Sequence, residues 1–281
     1  MSYLRLLRPH QWIKNILILF PGLLAFGLEI PVPWPSIFLC LVSFCLASSA
    51  IYVINDIIDA ERDRAHPVKK RRPIACGDVG SSEGYAIAAS LGAIALVLAY
   101  KASPVSLGLV ASYCLINLGY SYYTKHIPLL DCGSIALGFS LRFLAGGAGF
   151  AVPANPILLS ACFFGAFAMA LIKRRIELSL VLPGESAQRP SLEGLNLPVL
   201  DLLVGIFSSV AISLYAQWTL AHSKSMVIFT LPLLVLAVSR VIWLAYLNKK
   251  GEDFAKTLLS DLPCLLLAGL FIATIALALH A

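Results

Sequence analysis

Ser36-Ile37-Phe38-Leu39-Cys40-Leu41-Val42-Ser43-Phe44-Cys45-Leu46-Ala47-Ser48-Ser49-Ala50-Ile51-Tyr52-Val53-Ile54 carries no charge and no helix-breaking residue. A run of about 20 such residues is what a helix needs to cross the hydrocarbon core of a bilayer. It then passes directly into Asn55-Asp56-Ile57-Ile58-Asp59-Ala60-Glu61-Arg62-Asp63-Arg64, a change from apolar to densely charged that marks a membrane boundary. Further apolar runs of comparable length fall near 12–28, 84–101, 104–122, 128–150, 156–173, 200–221, 225–247 and 261–280. With 36–54 they predict an all-α, polytopic membrane bundle of about nine transmembrane helices, read as one domain over 1–281.

Composition agrees. The chain is 59% hydrophobic and 13% charged, against about 45–50% and about 25% in ordinary soluble domains. The seven cysteines form no CxxC pair and lie mostly within apolar runs, so they read as small buried hydrophobes. Arg5, Arg8 and Lys14 precede the first apolar run as they would in a signal peptide. Ala25-Phe26-Gly27-Leu28-Glu29 offers no small-residue cleavage pattern, however, so that run reads as a retained helix.

The basic residues set an orientation. Seventeen of the 21 Lys and Arg fall on one side of the nine-span arrangement, with Lys101 and Lys224 opposite and Arg142 and Arg240 inside spans. The positive-inside rule then puts the N-terminus and longer loops in the cytoplasm and the C-terminus outside. These charges sit in short loops, so the net charge of +6 is no argument for nucleic acid.

Asn55, Asp59 and Asp63 are spaced i, i+4, i+8, which stacks them on one face of a continuing helix, with Asp56 one step around. Carboxylates converging at a membrane boundary repel one another. A hard cation such as Mg²⁺, bound through a few carboxylates and substrate phosphates, resolves that. A solvated helix end neutralised by Arg62 and Arg64 is the alternative for the acids alone. Beyond them, His66-Pro67-Val68-Lys69-Lys70-Arg71-Arg72-Pro73-Ile74 makes an anion cradle. Positive-inside bias or attraction to anionic lipid explains one or two of its cations, but not the adjacency of acids and bases.

At this point the sequence resembles the UbiA superfamily of membrane prenyltransferases, whose first aspartate-rich motif, NDxxDxxxD, is matched by Asn55, Asp56, Asp59 and Asp63. The continuation from Asp63 to Gly77 is similar to DRxHPxKxxRPIASG, the form found in the polyprenyl-phosphate phosphoribosyltransferase branch, with Cys76 in place of serine. The resemblance implies a UbiA-like fold, Mg²⁺ held by Asn55, Asp56, Asp59 and Asp63, and substrate contacts from His66, Lys69 and Arg72.

A second cluster runs from Tyr120 and Lys125 through Asp131 to Arg142. Asp131 and Arg142 are almost three turns apart on one helix face, which sets Arg142 about 16 Å deeper at about 1.5 Å per residue. An arginine at that depth is a functional candidate by default, with a structural pairing as the alternative. The superfamily resemblance implies a DxxxD motif here. Asp131 supplies its first acid and Ile135 stands at its second position, while Tyr120, Lys125 and Asp131 resemble the phosphoribosyltransferase branch. Lys173, Arg174 and Glu177 are similar to a KRxxE segment of that branch, although cations at a helix C-terminus are favourable on dipole grounds alone. The 182–199 loop reads as a lid or a connector. Arg240 and the 253–261 segment resemble the branch's C-terminal region more loosely.

The activity implied is transfer of 5-phosphoribose from 5-phosphoribosyl 1-diphosphate to a polyprenyl phosphate. Asp56, Asp59, Asp63 and Asp131 are then the catalytic candidates, and Lys69, Arg72, Lys125 and Arg142 bind phosphate. Two rivals stand beside it: a UbiA-type prenyltransferase acting on an aromatic acceptor, and a non-enzymatic transporter. The partners expected are those two substrates and the lipid bilayer; a homo-oligomer is compatible with the sequence.

Overall fold

The computed structural model describes residues 2–25, 32–66, 68–180, 190–221, 225–247 and 254–280. Helix is the regular structure throughout them, and no strand occurs among the described residues. Six helices are long and apolar enough to cross a membrane: Trp34–Ile58, Ser81–Ala102, Pro104–Tyr122, Pro156–Ser179, Leu197–Ala221 and Val227–Leu247. They correspond to six of the nine expected spans. With Leu115, Leu202, Leu220 and Leu236 all more than half exposed, their apolar surface faces outward as lipid contact requires and water forbids. The protein is an integral membrane protein.

The other three expected spans differ, each for a physical reason. Leu130–Gly149 has the length, at 20 residues, but includes Asp131 and Arg142. Leu262–Ala278 is apolar but shorter. The 12–28 run is not one α-helix: Pro9–Leu19 is a 3-10 helix of 11 residues, followed by a short α-helix, Phe20–Ala25, and 26–31 lie outside the described residues. Runs of 3-10 longer than three or four residues are uncommon. Here the close approach of Gly146 accompanies it, because a Cβ on Gly146 would stand 2.2 Å from the carbonyl oxygen of Ile18.

Helix starts follow local chemistry. The Ser103 side chain accepts from the amide of Ser106 ahead of Pro104–Tyr122. Asn155 accepts from the amides of Ile157 and Leu158 ahead of Pro156–Ser179. Both helices begin on proline, which needs no amide partner there.

The chain divides into two compact units. One comprises Met1–Ala25, Ile30–Thr124 and Leu141–Ala154. Its core gathers Ile18, Cys40, Phe44, Ala47, Ala95, Ala99, Val110, Tyr113 and Ala145. A second cluster, Leu6, Val53, Ala60, Ile74, Val79 and Ala88, lies beneath the charged segment that follows Ile58. The other unit comprises Phe26–Glu29, Lys125–Ser140 and Asn155–Ala281. Its core gathers Cys132, Ala136, Phe167, Leu171, Ile176, Leu200, Val204 and Ala245, with Phe167 stacked on Phe207 at a centroid distance of 4.2 Å.

Candidate functional site

The Asn55–Asp63 face forms nearly as its spacing predicts. Trp34–Ile58 ends at Asp59, whose φ of −89° and ψ of 0° interrupt the helix before Ala60–Ala65 begins. The amide of Asp59 still donates to the Asn55 carbonyl at 3.0 Å, and that of Asp63 to the Asp59 carbonyl at 2.8 Å. The periodicity therefore survives the break, and Asn55 Nδ2 donates to Asp59 Oδ2 at 3.2 Å.

The four residues do not form a bare acidic cage. Among the described residues no group of three or more His, Cys, Asp or Glu side chains is placed to hold a metal ion. Arginines separate the acids instead. Arg72 NH1 donates to Asp63 Oδ2 at 2.5 Å and to Asp56 Oδ1 at 3.1 Å, Arg62 reaches Asp59 Oδ1 at 3.3 Å, and Arg8 pairs with Asp56 Oδ1. Mutual repulsion of the carboxylates is relieved in this structure by guanidinium groups. Two oxygens remain buried and without a hydrogen-bonding partner, Asn55 Oδ1 and Asp56 Oδ2. Buried polar atoms ordinarily have one. Hard oxygens on adjacent residues are the donors Mg²⁺ selects when it takes most of its coordination from substrate phosphates and water, so the residues fit such an ion.

In the sequence Arg8 figures only among the N-terminal cations that precede the first apolar run and set the orientation. The structure places it on the motif, with its guanidinium 5.3 Å from the centre of the Tyr52 ring. Burial pushes its pKa down, and the neighbouring Asp56 carboxylate opposes that shift. A separation of 48 residues hides such a contact from any local pattern.

His66, expected at substrate, accepts from the amides of Val68 and Lys69 through Nδ1 at 3.1 and 3.2 Å. Its ring thus shapes the Lys69–Arg71 turn, while Pro67 lies outside the described residues. Lys69 is half-buried and Lys70 and Arg71 are exposed. Gly77 closes this stretch with φ of 85°, a left-handed conformation suited to glycine.

Arg142 is enclosed in the same unit. Its Nε donates to Asn15 Oδ1 at 2.7 Å and an NH2 hydrogen goes to Tyr113 Oη at 3.0 Å. Its guanidinium lies 4.7 Å from the Tyr113 ring centre. These contacts are to a neutral amide oxygen and a phenol. Tyr120 is half-buried at the end of Pro104–Tyr122.

In the second unit, Asp131 and Arg174 meet. Arg174 Nε donates to Asp131 Oδ2 at 2.6 Å and NH1 to Glu177 Oε2 at 2.6 Å. Ser191 Oγ also donates to Asp131 Oδ2, at 3.2 Å, and the amide of Cys132 donates to Oδ1 at 2.7 Å. Lys125 is buried in this unit and Lys173 exposed. The second and third sequence clusters are thus joined through Arg174, a link that a separation of 43 positions conceals. Ser191 belongs to the expected 182–199 loop, whose residues 182–189 lie outside those described, as does residue 253 of the 253–261 segment. Nearby, Arg175 Nε donates to Asp201 and its guanidinium stacks 3.8 Å from the Tyr246 ring centre. Arg240 holds Asp261 with two hydrogen bonds, at 3.2 and 2.8 Å.

The fold is that of a helical membrane protein carrying an Asn/Asp motif braced by arginines. Residues 15–275 match the UbiA prenyltransferase family, and the chain belongs to it. It is 31% identical over 284 residues to a decaprenyl-phosphate phosphoribosyltransferase of Mycobacterium tuberculosis, covering 97% of this chain and 92% of that protein. It is also 33% identical over 232 residues to the Mycolicibacterium smegmatis protein of the same name, covering 81% and 73%. Among solved structures it is similar to a UbiA homolog from Archaeoglobus fulgidus bound to GPP and Mg²⁺, with a TM-score of 0.76, 21% identity and complete coverage of both chains. The protein is therefore a membrane transferase of the UbiA fold.

Proposed function

We propose that the chain transfers 5-phosphoribose from 5-phosphoribosyl 1-diphosphate to a polyprenyl phosphate of the decaprenyl type, releasing diphosphate. The reading draws on the names of the mycobacterial relatives. The structural observation that carries it is the pairing of Asp131 with the buried Arg174, next to Ile135 where a second acid would stand in a DxxxD motif. An acid–base pair with Lys125 close in sequence is more cationic than a pair of acids, which suits a donor with a further phosphate.

In the reaction a phosphate oxygen of the acceptor forms a bond to C1 of the ribose while the C1–oxygen bond to diphosphate breaks. The acceptor is already anionic, so no strong general base is required. Asn55 and Asp56 would hold Mg²⁺, which would supply neutralisation of the charge developing on the leaving diphosphate. Asp59 and Asp63 keep Asn55 and Arg72 in place. Arg72, Lys69 and Lys125 bind phosphate as preorganised cations. Arg142 is left to hold Asn15 and Tyr113. Asp131, fully engaged by Arg174, Ser191 and a backbone amide, orients Arg174 and Glu177. We read 1–281 as one transferase domain because the family match crosses both units. Following the distribution of cations, we assign it to the cell membrane with the N-terminus and site cytoplasmic and the C-terminus outside.

The alternative is prenyl transfer to an aromatic acceptor, favoured by the shared Asn55–Asp63 motif. One experiment separates the two. Purified protein is incubated with Mg²⁺, polyprenyl phosphate and radiolabelled phosphoribosyl diphosphate, and in parallel with an isoprenyl diphosphate and 4-hydroxybenzoate. Label in the lipid fraction of the first reaction alone is the expected result. Product only in the second would overturn the proposal.

A further inference from the structure

We propose that Arg8 is a positioning residue that makes the Asn55–Asp63 motif take up its divalent cation together with a diphosphate and not alone. The inference rests on the diphosphate-site reading above and assigns to it an order of binding and a residue that enforces it.

The argument begins with charge. Asp56, Asp59 and Asp63 are ion-paired to Arg8, Arg62 and Arg72. The three negative and three positive formal charges cancel. A bare dication approaching Asp56 Oδ2 and Asn55 Oδ1 meets two guanidinium groups already fixed on the other oxygen of the same carboxylate. Repulsion at such range, with both Asp56 and Asp63 almost fully buried, is only weakly screened. A cation arriving with a diphosphate reverses the balance, because the anion offers those arginines charge-assisted hydrogen bonds of its own.

A second observation singles out Arg8. Its backbone lies at φ 51° and ψ 54°, the left-handed region that a residue with a long side chain rarely adopts. Such strain persists only where the surroundings over-determine it, and it gathers at functional sites. The surroundings here do so. Ser49 Oγ donates to the Leu7 carbonyl at 2.8 Å and accepts from Trp12 Nε1 at 3.0 Å, clasping the chain on either side of residue 8. The Gln11 amide donates to the Arg8 carbonyl at 2.9 Å. Tyr52 lies under the guanidinium, one helical turn before Asp56. Ser49, Tyr52 and Asp56 all belong to Trp34–Ile58, so one helix fixes both the strained backbone and the charge it delivers. The contact takes Asp56 Oδ1 and leaves Oδ2 for the cation.

Mn²⁺ and inorganic pyrophosphate are the probes, used on the full chain in detergent. Mn²⁺ binding is followed by loss of its free electron-paramagnetic signal, and pyrophosphate binding by retention of radiolabel as Mn²⁺ is raised. The wild type is expected to bind Mn²⁺ alone at least about tenfold more weakly than it does with saturating pyrophosphate. Arg8→Gln is expected to strengthen binding of Mn²⁺ alone by several-fold and to narrow that gap, while Arg8→Lys, which keeps the charge, preserves it. A merely structural Arg8 would lower the melting temperature and leave the gap unchanged in the folded fraction, which overturns the inference. Equal Mn²⁺ binding with and without pyrophosphate in the wild type overturns it without any variant. Absence of pyrophosphate binding under all conditions overturns the diphosphate-site reading as well.

Discussion

Arg174 and Asp131 form a salt bridge at 2.6 Å in which the arginine side chain is 2% exposed and the aspartate 1%. A buried pair of this kind adds little over an apolar pair of the same shape, yet removing one partner strands a charge. Arg174→Ala is therefore expected to destabilise the protein by about 3–5 kcal/mol, and the double change Arg174→Met with Asp131→Leu by much less. Thermal unfolding in detergent measures both. Equal losses in the single and double variants would contradict the pairing.

Ser191 contributes one more hydrogen bond to the same carboxylate oxygen. Because Arg174 and the Cys132 amide still satisfy Asp131, Ser191→Ala should cost only about 0.5–1.5 kcal/mol. The informative readout is additivity with Arg174→Ala. The two losses should fail to add, since both act on Asp131.

Asp59 joins Asn55 Nδ2 to the exposed Arg62 and lies where the Trp34–Ile58 helix ends. Asp59→Asn keeps the shape and removes the charge. Phosphoribosyl transfer is expected to fall by about two orders of magnitude or more, with the yield of folded protein nearly unchanged. Wild-type turnover in this variant would remove Asp59 from the site.

Gly146 stands one turn beyond Arg142, and its missing side chain lets the Ile18 carbonyl approach. Gly146→Val forces the Pro9–Leu19 segment away, or the helix, at an expected cost of about 1–3 kcal/mol or more. Comparison with Gly108→Ala, where nothing lies within 4 Å of the added carbon, isolates the steric effect by melting temperature.

Asp261 gives a pH signature. Its hydrogen bonds with Arg240 pull the carboxyl down to about 2, from an ordinary value near 3.8. A depressed folded-state pKa contributes stability that is present above the unfolded value and is lost as pH falls from about 4 through about 2. The melting temperature should decline over that window, and less steeply in Asp261→Asn. Both partners are only partly exposed, Arg240 at 28% and Asp261 at 12%, so salt should weaken the effect only in part.

What the sequence disclosed was whatever is periodic or contiguous. The charge-free run from Ser36 to Ile54 is a helix in the structure, and the four-residue spacing of Asn55, Asp59 and Asp63 survives even the helix break at Asp59. Pro9 and Pro21 were visible, but hydropathy scores a 3-10 segment and an α-helix alike, so the first expected span concealed its geometry. Partners distant in sequence were also hidden. Nothing near Arg8 points to Asp56, and nothing near Asp131 points to Arg174 or Ser191. Arg142 was conspicuous for its depth, yet depth alone does not distinguish a phosphate ligand from an interior brace. Its contacts to Asn15 and Tyr113, which are distant in the chain, could not be read from the sequence.

The left-handed backbone at residue 8 makes two demands on a single side chain that no amino acid meets together. Glycine, asparagine and aspartate accept the conformation most readily, but none carries a positive charge, and aspartate would confront Asp56 with the same sign. Arginine and lysine bring the charge and keep the strain. Arg8→Gly would relax the backbone but remove one of the two guanidinium groups that neutralise the buried Asp56. At position 8 the backbone and the ion pair pull in opposite directions, and the charge the motif needs holds the strained conformation in place.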